Sequence, residues 1–158
     1  YKGKFNESPI EDVQNNQLYI NYDVVDYLEI DDFKNKIIEH LETYDFISSA
    51  HSLDKLVSSS ELTEYQELIK NGYHPDRSGD IVFILEPQTI IYGEKGTTHG
   101  SGYNYDTHVP LIFYGKGIKK GETKSRTNIV DIAPTINALL GLKPNETYTG
   151  KALDFVIE

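Results

Sequence analysis

The run Asp80-Ile-Val-Phe-Ile-Leu-Glu86 constrains the fold more than any other feature: an uninterrupted apolar stretch, mostly β-branched or aromatic, flanked by acids and closed by Pro87. Successive side chains of a strand point to opposite faces, so a run with no polar member needs apolar neighbours on both. A chain carrying such a strand must place it inside a covered sheet. Val109-Pro-Leu-Ile-Phe-Tyr114, closed by Gly115 and Gly117, reads the same way and is expected to be a second interior strand. At 158 residues the chain is large enough for one domain with the core that such strands require.

Around these two runs the pattern alternates. Gln17–Val25 is rich in β-branched and aromatic residues and predicts a strand, whereas residues 1–16 read as a loop or extended entry. Ile30, Phe33, Ile37, Ile38 and Leu41 recur at helical spacing behind Asp31 and Asp32, whose carboxylates favour a helix start. Phe46–Ala50 predicts a short strand and Leu53–Val57 a helical turn. Ser60 is the expected N-cap of a helix through Leu62, Tyr65, Leu68 and Ile69 that ends at Asn71-Gly72. A last helix starts near Asn128, because Pro134 is tolerated only in its first turns, and stops at Gly141. The pattern predicts an α/β fold, with α+β as the alternative: a mixed sheet with packed helices. Its expected parts are an acidic insertion or cap-like segment over 1–72 and a second part over 73–158.

Charge and composition exclude several functions. A formal net charge of −10 argues against nucleic acid as a partner, since a polyanion binder needs a clustered basic surface. With no cysteine there are neither disulfides nor thiolate metal ligands. No apolar stretch approaches the length of a membrane span. The absence of methionine leads us to expect a piece of a longer protein.

Between the two apolar runs lies a long segment rich in Gly, Thr, Ser, Tyr and Asn; structureless segments of this length are usually functional or disordered. Gly96-Thr-Thr-His-Gly-Ser-Gly-Tyr-Asn-Tyr-Asp-Thr-His108 places two histidines and an aspartate there. Imidazole and carboxylate are common zinc ligands, and sites are often built on loops that a rigid sheet positions. On residue type alone, a hydrogen-bonding role for each competes with metal ligation.

Four pieces in order carry a resemblance. They are Tyr73-His-Pro-Asp-Arg-Ser-Gly-Asp80, Thr97-Thr-His-Gly100, Tyr105-Asp-Thr-His-Val-Pro-Leu-Ile-Phe-Tyr-Gly115, and Asn128-Ile-Val-Asp-Ile-Ala-Pro-Thr135 with Leu139-Leu-Gly-Leu142. Together they resemble the carboxyl-terminal signature of the alkaline-phosphatase superfamily, in particular the single-chain bacterial phosphatases with a threonine nucleophile. Residues 73–153 carry the likeness, and the first 70 residues share only its broad pattern.

The resemblance implies a zinc-dependent enzyme, with two ions in the parent protein, that hydrolyses phosphate monoesters in a periplasmic or secreted setting. A phosphodiesterase of the nucleotide pyrophosphatase type, or a non-catalytic interaction domain, is the alternative. By the same resemblance His99 is the metal ligand; related sulfatases carry lysine at that place. His108 is the alternative ligand, and Asp106 either orients a histidine or stabilises the loop. The nucleophile and the remaining ligands, among them an Asp-x-x-x-His and an Asp-His pair, are missing from the sequence. The chain alone is therefore expected to be inactive, and its glycine-rich loop, lacking a metal, to be poorly ordered.

Overall fold

The computed structural model describes residues 8–91, 99–143 and 145–158. Gly96, Thr97 and Thr98 of the histidine loop, and the first residues of the expected entry segment, lie outside the described residues. The chain divides into two compact units, Tyr1–His108 and Val109–Glu158.

The first unit is built on a four-stranded sheet ordered β1-β2-β4-β3, with β1 Ile10–Gln14, β2 Gln17–Ile20, β3 Ile47–Ser52 and β4 Ile81–Leu85. Every neighbouring pair is antiparallel. β4 is buried along its whole length, as its unbroken apolar run requires. Ile81, Phe83 and Leu85 pack with Leu18, Ile47 and Ala50 on one face. Val82 packs with Leu53 and Leu56 on the other.

β1 was not expected. Its side chains are almost all exposed, so it lacks the apolar alternation that marks a half-buried strand. It forms because Asn15 and Asn16, at φ 51° and 60°, make the left-handed two-residue turn that joins it to β2 as a hairpin. Asparagine tolerates that conformation better than most residues.

Helix α1, Ile30–Leu41, covers the first face of the sheet, with Phe33 buried and Ile37, Ile38 and Leu41 packed against the strands. Lys34 is buried as well, and its ammonium lies 3.4 Å from Asp54 and 3.7 Å from Asp80. α2, Leu53–Ser58, and α3, Glu64–Gly72, supply the opposite side. α3 starts at Thr63 rather than at Ser60. The Thr63 hydroxyl accepts from Gln66 N at 3.3 Å, and the Gln66 side-chain Oε1 accepts from Thr63 N at 2.9 Å. This reciprocal pair satisfies two amides that a helix start otherwise leaves unbonded.

The capping pair also fixes a histidine. A backbone N–H can only donate, so Gln66 Oε1 must face Thr63 and its NH2 group must face His51 Nε2, at 3.2 Å. Ser49 Oγ lies 3.0 Å from the same nitrogen. His51 Nε2 is therefore an acceptor and the ring is neutral. Burial pushes its pKa below the ordinary value, against a smaller upward pull from Glu42. The unfolded chain then binds the proton more readily than the folded one. The stabilising contribution is complete above about pH 6.5 and is lost as pH falls through that value towards the depressed one. Urea midpoints measured at pH 7.5 and pH 5 should differ more for the wild type than for His51→Gln. An equal difference in the two proteins would remove His51 as the cause.

In the second unit, a 3-10 turn over Ile129–Asp131 leads into α5, Ile132–Leu139, with Asn128 before it and Gly141 at φ 65° after it, as the sequence predicts. Asp131 accepts from the amides of Asn128 at 2.9 Å and Lys151 at 3.0 Å, and these bonds hold its pKa below the usual carboxylate range. Thr135 is fully buried: its hydroxyl donates to Asp131 O at 2.6 Å and accepts from Leu153 N at 3.0 Å. Ile118 and Ile157 form an isolated antiparallel bridge.

Residues 109–114 are not a strand, which corrects the expectation of a second interior one. No described strand pairs with them, and without such a partner the apolar run stays open to solvent; Ile112 is 82% and Tyr114 100% exposed. Among the described residues no helix is long and apolar enough to cross a membrane.

Candidate metal-ligand loop

The candidate residues sit in a segment that follows the buried strand β4, within the first unit. Residues 99–108 are held by tyrosines. The Tyr103 hydroxyl donates to Leu85 O at 2.8 Å, tying the loop to the end of β4. The Tyr105 hydroxyl accepts from Gln88 N at 2.9 Å. Tyr103 meets Tyr65 of α3 edge to face, with centroids 5.0 Å apart, and stacks on Tyr105 at 5.7 Å. Both spacings lie in the favourable range for aromatic pairs.

A short helix, α4 over Asn104–Thr107, closes the loop. The Tyr103 carbonyl accepts from Asp106 N at 2.9 Å and Thr107 N at 3.0 Å. Asp106 turns back and accepts from Ser101 N at 2.9 Å and Ser101 Oγ at 2.6 Å. The hydrogen bonds from Ser101, with a further one from the Gly100 amide and the nearby His99, hold the Asp106 carboxyl below the usual range. Asp106 thus has the geometry of a carboxylate that stabilises a turn, and it lies within electrostatic reach of His99. His99 and His108 are both exposed. His108 caps the C-terminal end of α4, its amide donating to Asn104 O at 3.0 Å. His74, outside this loop, accepts at Nδ1 from Asp76 N at 3.2 Å within its own turn.

Residues 99–108 thus carry hydrogen bonds and ring contacts of their own. Sequence reading missed Tyr65, Tyr103 and Tyr105. Tyr103 and Tyr105, spaced by one residue in an otherwise small and polar stretch, were a usable signal; nothing in the sequence marks Tyr65 as their partner.

The donor set does not hold a metal by itself. Among the described residues no three His, Cys, Asp or Glu side chains stand together as a ligand group. His99 offers one imidazole, and the neighbouring carboxylate is already engaged by Ser101. Zinc sites take three or four protein ligands, so this loop fits as a contributor to such a centre and not as the centre.

Known proteins resemble this chain over most of its length. No family model matches the chain. The crystal structure of the alkaline phosphatase PafA superposes with a TM-score of 0.86 at 34% identity, covering 95% of this chain and 29% of that one. In sequence, the alkaline phosphatase PafA of Elizabethkingia meningoseptica is 34% identical over 160 residues, covering 99% of this chain and 29% of that protein. A protein of Myroides odoratus named calcium-transporting ATPase is 38% identical over 153 residues, covering 94% of this chain and 28% of its own length. The fold is the mixed α/β fold of the alkaline phosphatases. The chain belongs to the alkaline-phosphatase superfamily and spans about 29% of the length of such relatives.

Proposed function

We propose that this chain is the carboxyl-terminal part of a zinc-dependent phosphatase that hydrolyses phosphate monoesters, acting in the periplasm or outside the cell. The observation that supports this most is the likeness to PafA, which runs through nearly the whole chain at 34% identity and includes the histidine-bearing loop. In this reading residues 73–158 carry the site segment and residues 1–72 the acidic, cap-like part, with one sheet shared between them. His99 is the metal ligand that this segment contributes, and the threonine nucleophile and the other ligands lie outside it. Bound zinc would supply charge stabilisation for the phosphoryl oxygens and activation of the nucleophile. The part of this chain is narrower: α3 and β4 hold the loop so that one imidazole is presented at a fixed place.

Two assays test the reading. The 158-residue chain with added zinc should give no measurable hydrolysis of an aryl phosphate. Turnover that survives purification and disappears on His99→Ala would show that the chain is catalytically complete and the reading wrong. A protein of the relatives' full length that contains this sequence should hydrolyse an aryl phosphate monoester and lose that activity to a chelator. A marked preference for a bis-aryl phosphate diester would favour the phosphodiesterase alternative.

A further inference from the structure

We propose that Tyr103, Tyr65 and Gly102 form a clamp that positions the His99 loop in advance of any metal, Tyr103 being its positioning residue; the metal in that statement rests on the function proposed above.

The argument starts from what a glycine-rich segment needs. Glycine loses more conformational freedom on ordering than any other residue, so a loop containing Gly100 and Gly102 orders only if specific contacts outweigh that loss. Tyr103 makes such contacts in three directions. Its hydroxyl is bonded to Leu85 O, at the end of the most buried strand of the sheet. Its ring meets Tyr65 on α3 and Tyr105 within the loop. Its carbonyl accepts from the amides of Asp106 and Thr107 in α4. Asp106, placed by that turn, then reaches back to Ser101, two residues from His99. A continuous chain of contacts therefore runs from β4 through Tyr103 and Asp106 to the backbone beside His99.

Gly102 is what lets the ring of Tyr65 approach. A Cβ at this position would overlap Tyr65 Cδ2 and come within 2.6 Å of Cε2. Real side chains do not tolerate such contacts, so any other residue must push α3 and the loop apart or turn the Tyr65 ring away. The close approach of Gly102 and the edge-to-face contact of Tyr103 use the same Tyr65 ring from adjacent positions. This makes Tyr65 the wall against which the loop is set. Preorganisation of this kind lowers the ordering cost that metal or substrate binding would otherwise meet.

The test uses the 158-residue chain without metal. Amide hydrogen exchange is read at Ser101 and Asp106, and at the amides of β4 as a control, together with the ring resonances of His99. Gly102→Ala should speed exchange at Ser101 and Asp106 about tenfold and shift the His99 ring signals, with β4 unchanged. In a Tyr65→Ala background, the same Gly102→Ala change should have little further effect, because residues in contact are non-additive. Tyr103→Phe, which keeps the ring and loses the bond to Leu85, should give an intermediate acceleration. Equal effects of Gly102→Ala in both backgrounds, or unmoved His99 signals, would overturn the clamp. Zinc content of a protein of full family length that contains this sequence addresses the other claim. If His99→Ala in that protein keeps its zinc while the exchange pattern holds in the 158-residue chain, the metal-ligand reading falls and the clamp stands.

Discussion

In a protein of full family length that carries this segment, His99→Ala is expected to lower zinc occupancy and phosphatase turnover together, with partial rescue at high zinc. Changes to groups that only support a ligand already cost about 10–100-fold in metal affinity or activity, so loss of a ligand should reach or exceed that range. His108→Ala should cost less. The two residues differ in what their backbone is doing. His108 closes α4, its amide bonded to Asn104 O, and its position follows from ending that turn. His99 lies two residues before Ser101, and the cross-links from Ser101 to Asp106 and from Tyr103 to Leu85 fix the backbone that follows it. A position built to this degree by neighbouring side chains suits a ligand. The comparison is made by measuring metal content and turnover of the two variants side by side. Zinc lost from His108→Ala and kept by His99→Ala would reverse the assignment.

The same segment shows where the sequence was informative. β4 was legible because its apolar residues leave a strand no solvent face, and the structure buries each of them. α1 was legible because five apolar residues at helical spacing define one stripe, although that stripe did not reveal Lys34 as buried. Residues 109–114 carry nearly the same apolar content and were misread. An apolar run states what a segment must bury and leaves open whether the chain supplies the partner; here no described strand does. The start of α3 was misplaced because Ser60 and Thr63 are both capable caps. Only Thr63 has a glutamine three residues on to return the hydrogen bond. At the site, His99 and Asp106 could be named from residue type and resemblance. The tyrosines that hold them could not, since the pairing of Tyr65 with Tyr103 spans residues that only the folded sheet brings together.

Asp80 looked like no more than the polar start of a strand, yet Asp80→Ala is expected to destabilise the first unit by about 3 kcal/mol, the lower end of what breaking a buried ion pair costs. Its carboxylate, 17% exposed, accepts from Ile20 N at 2.9 Å, from the Tyr22 hydroxyl, and faces the buried Lys34 ammonium. Removing it strands a backbone donor beside the sheet and leaves Lys34 with Asp54 alone, at 3.4 Å. A buried donor without a partner costs about 1–3 kcal/mol by itself, and the weakened pairing of Lys34 adds to that. Lys34→Met reverses the logic. It removes the buried charge, keeps most of the side-chain volume, and leaves Asp80 with Ile20 and Tyr22, and Asp54 largely exposed with its Ser52 bond. Replacing a buried charge by an apolar side chain of similar size is often close to neutral when its partners stay solvated or bonded, so Lys34→Met should cost about 1 kcal/mol or less. Urea unfolding followed by circular dichroism gives both values from one series. A cost for Lys34→Met equal to or above that of Asp80→Ala would mean that the ammonium, and not the carboxylate, organises the contact between α1 and the sheet.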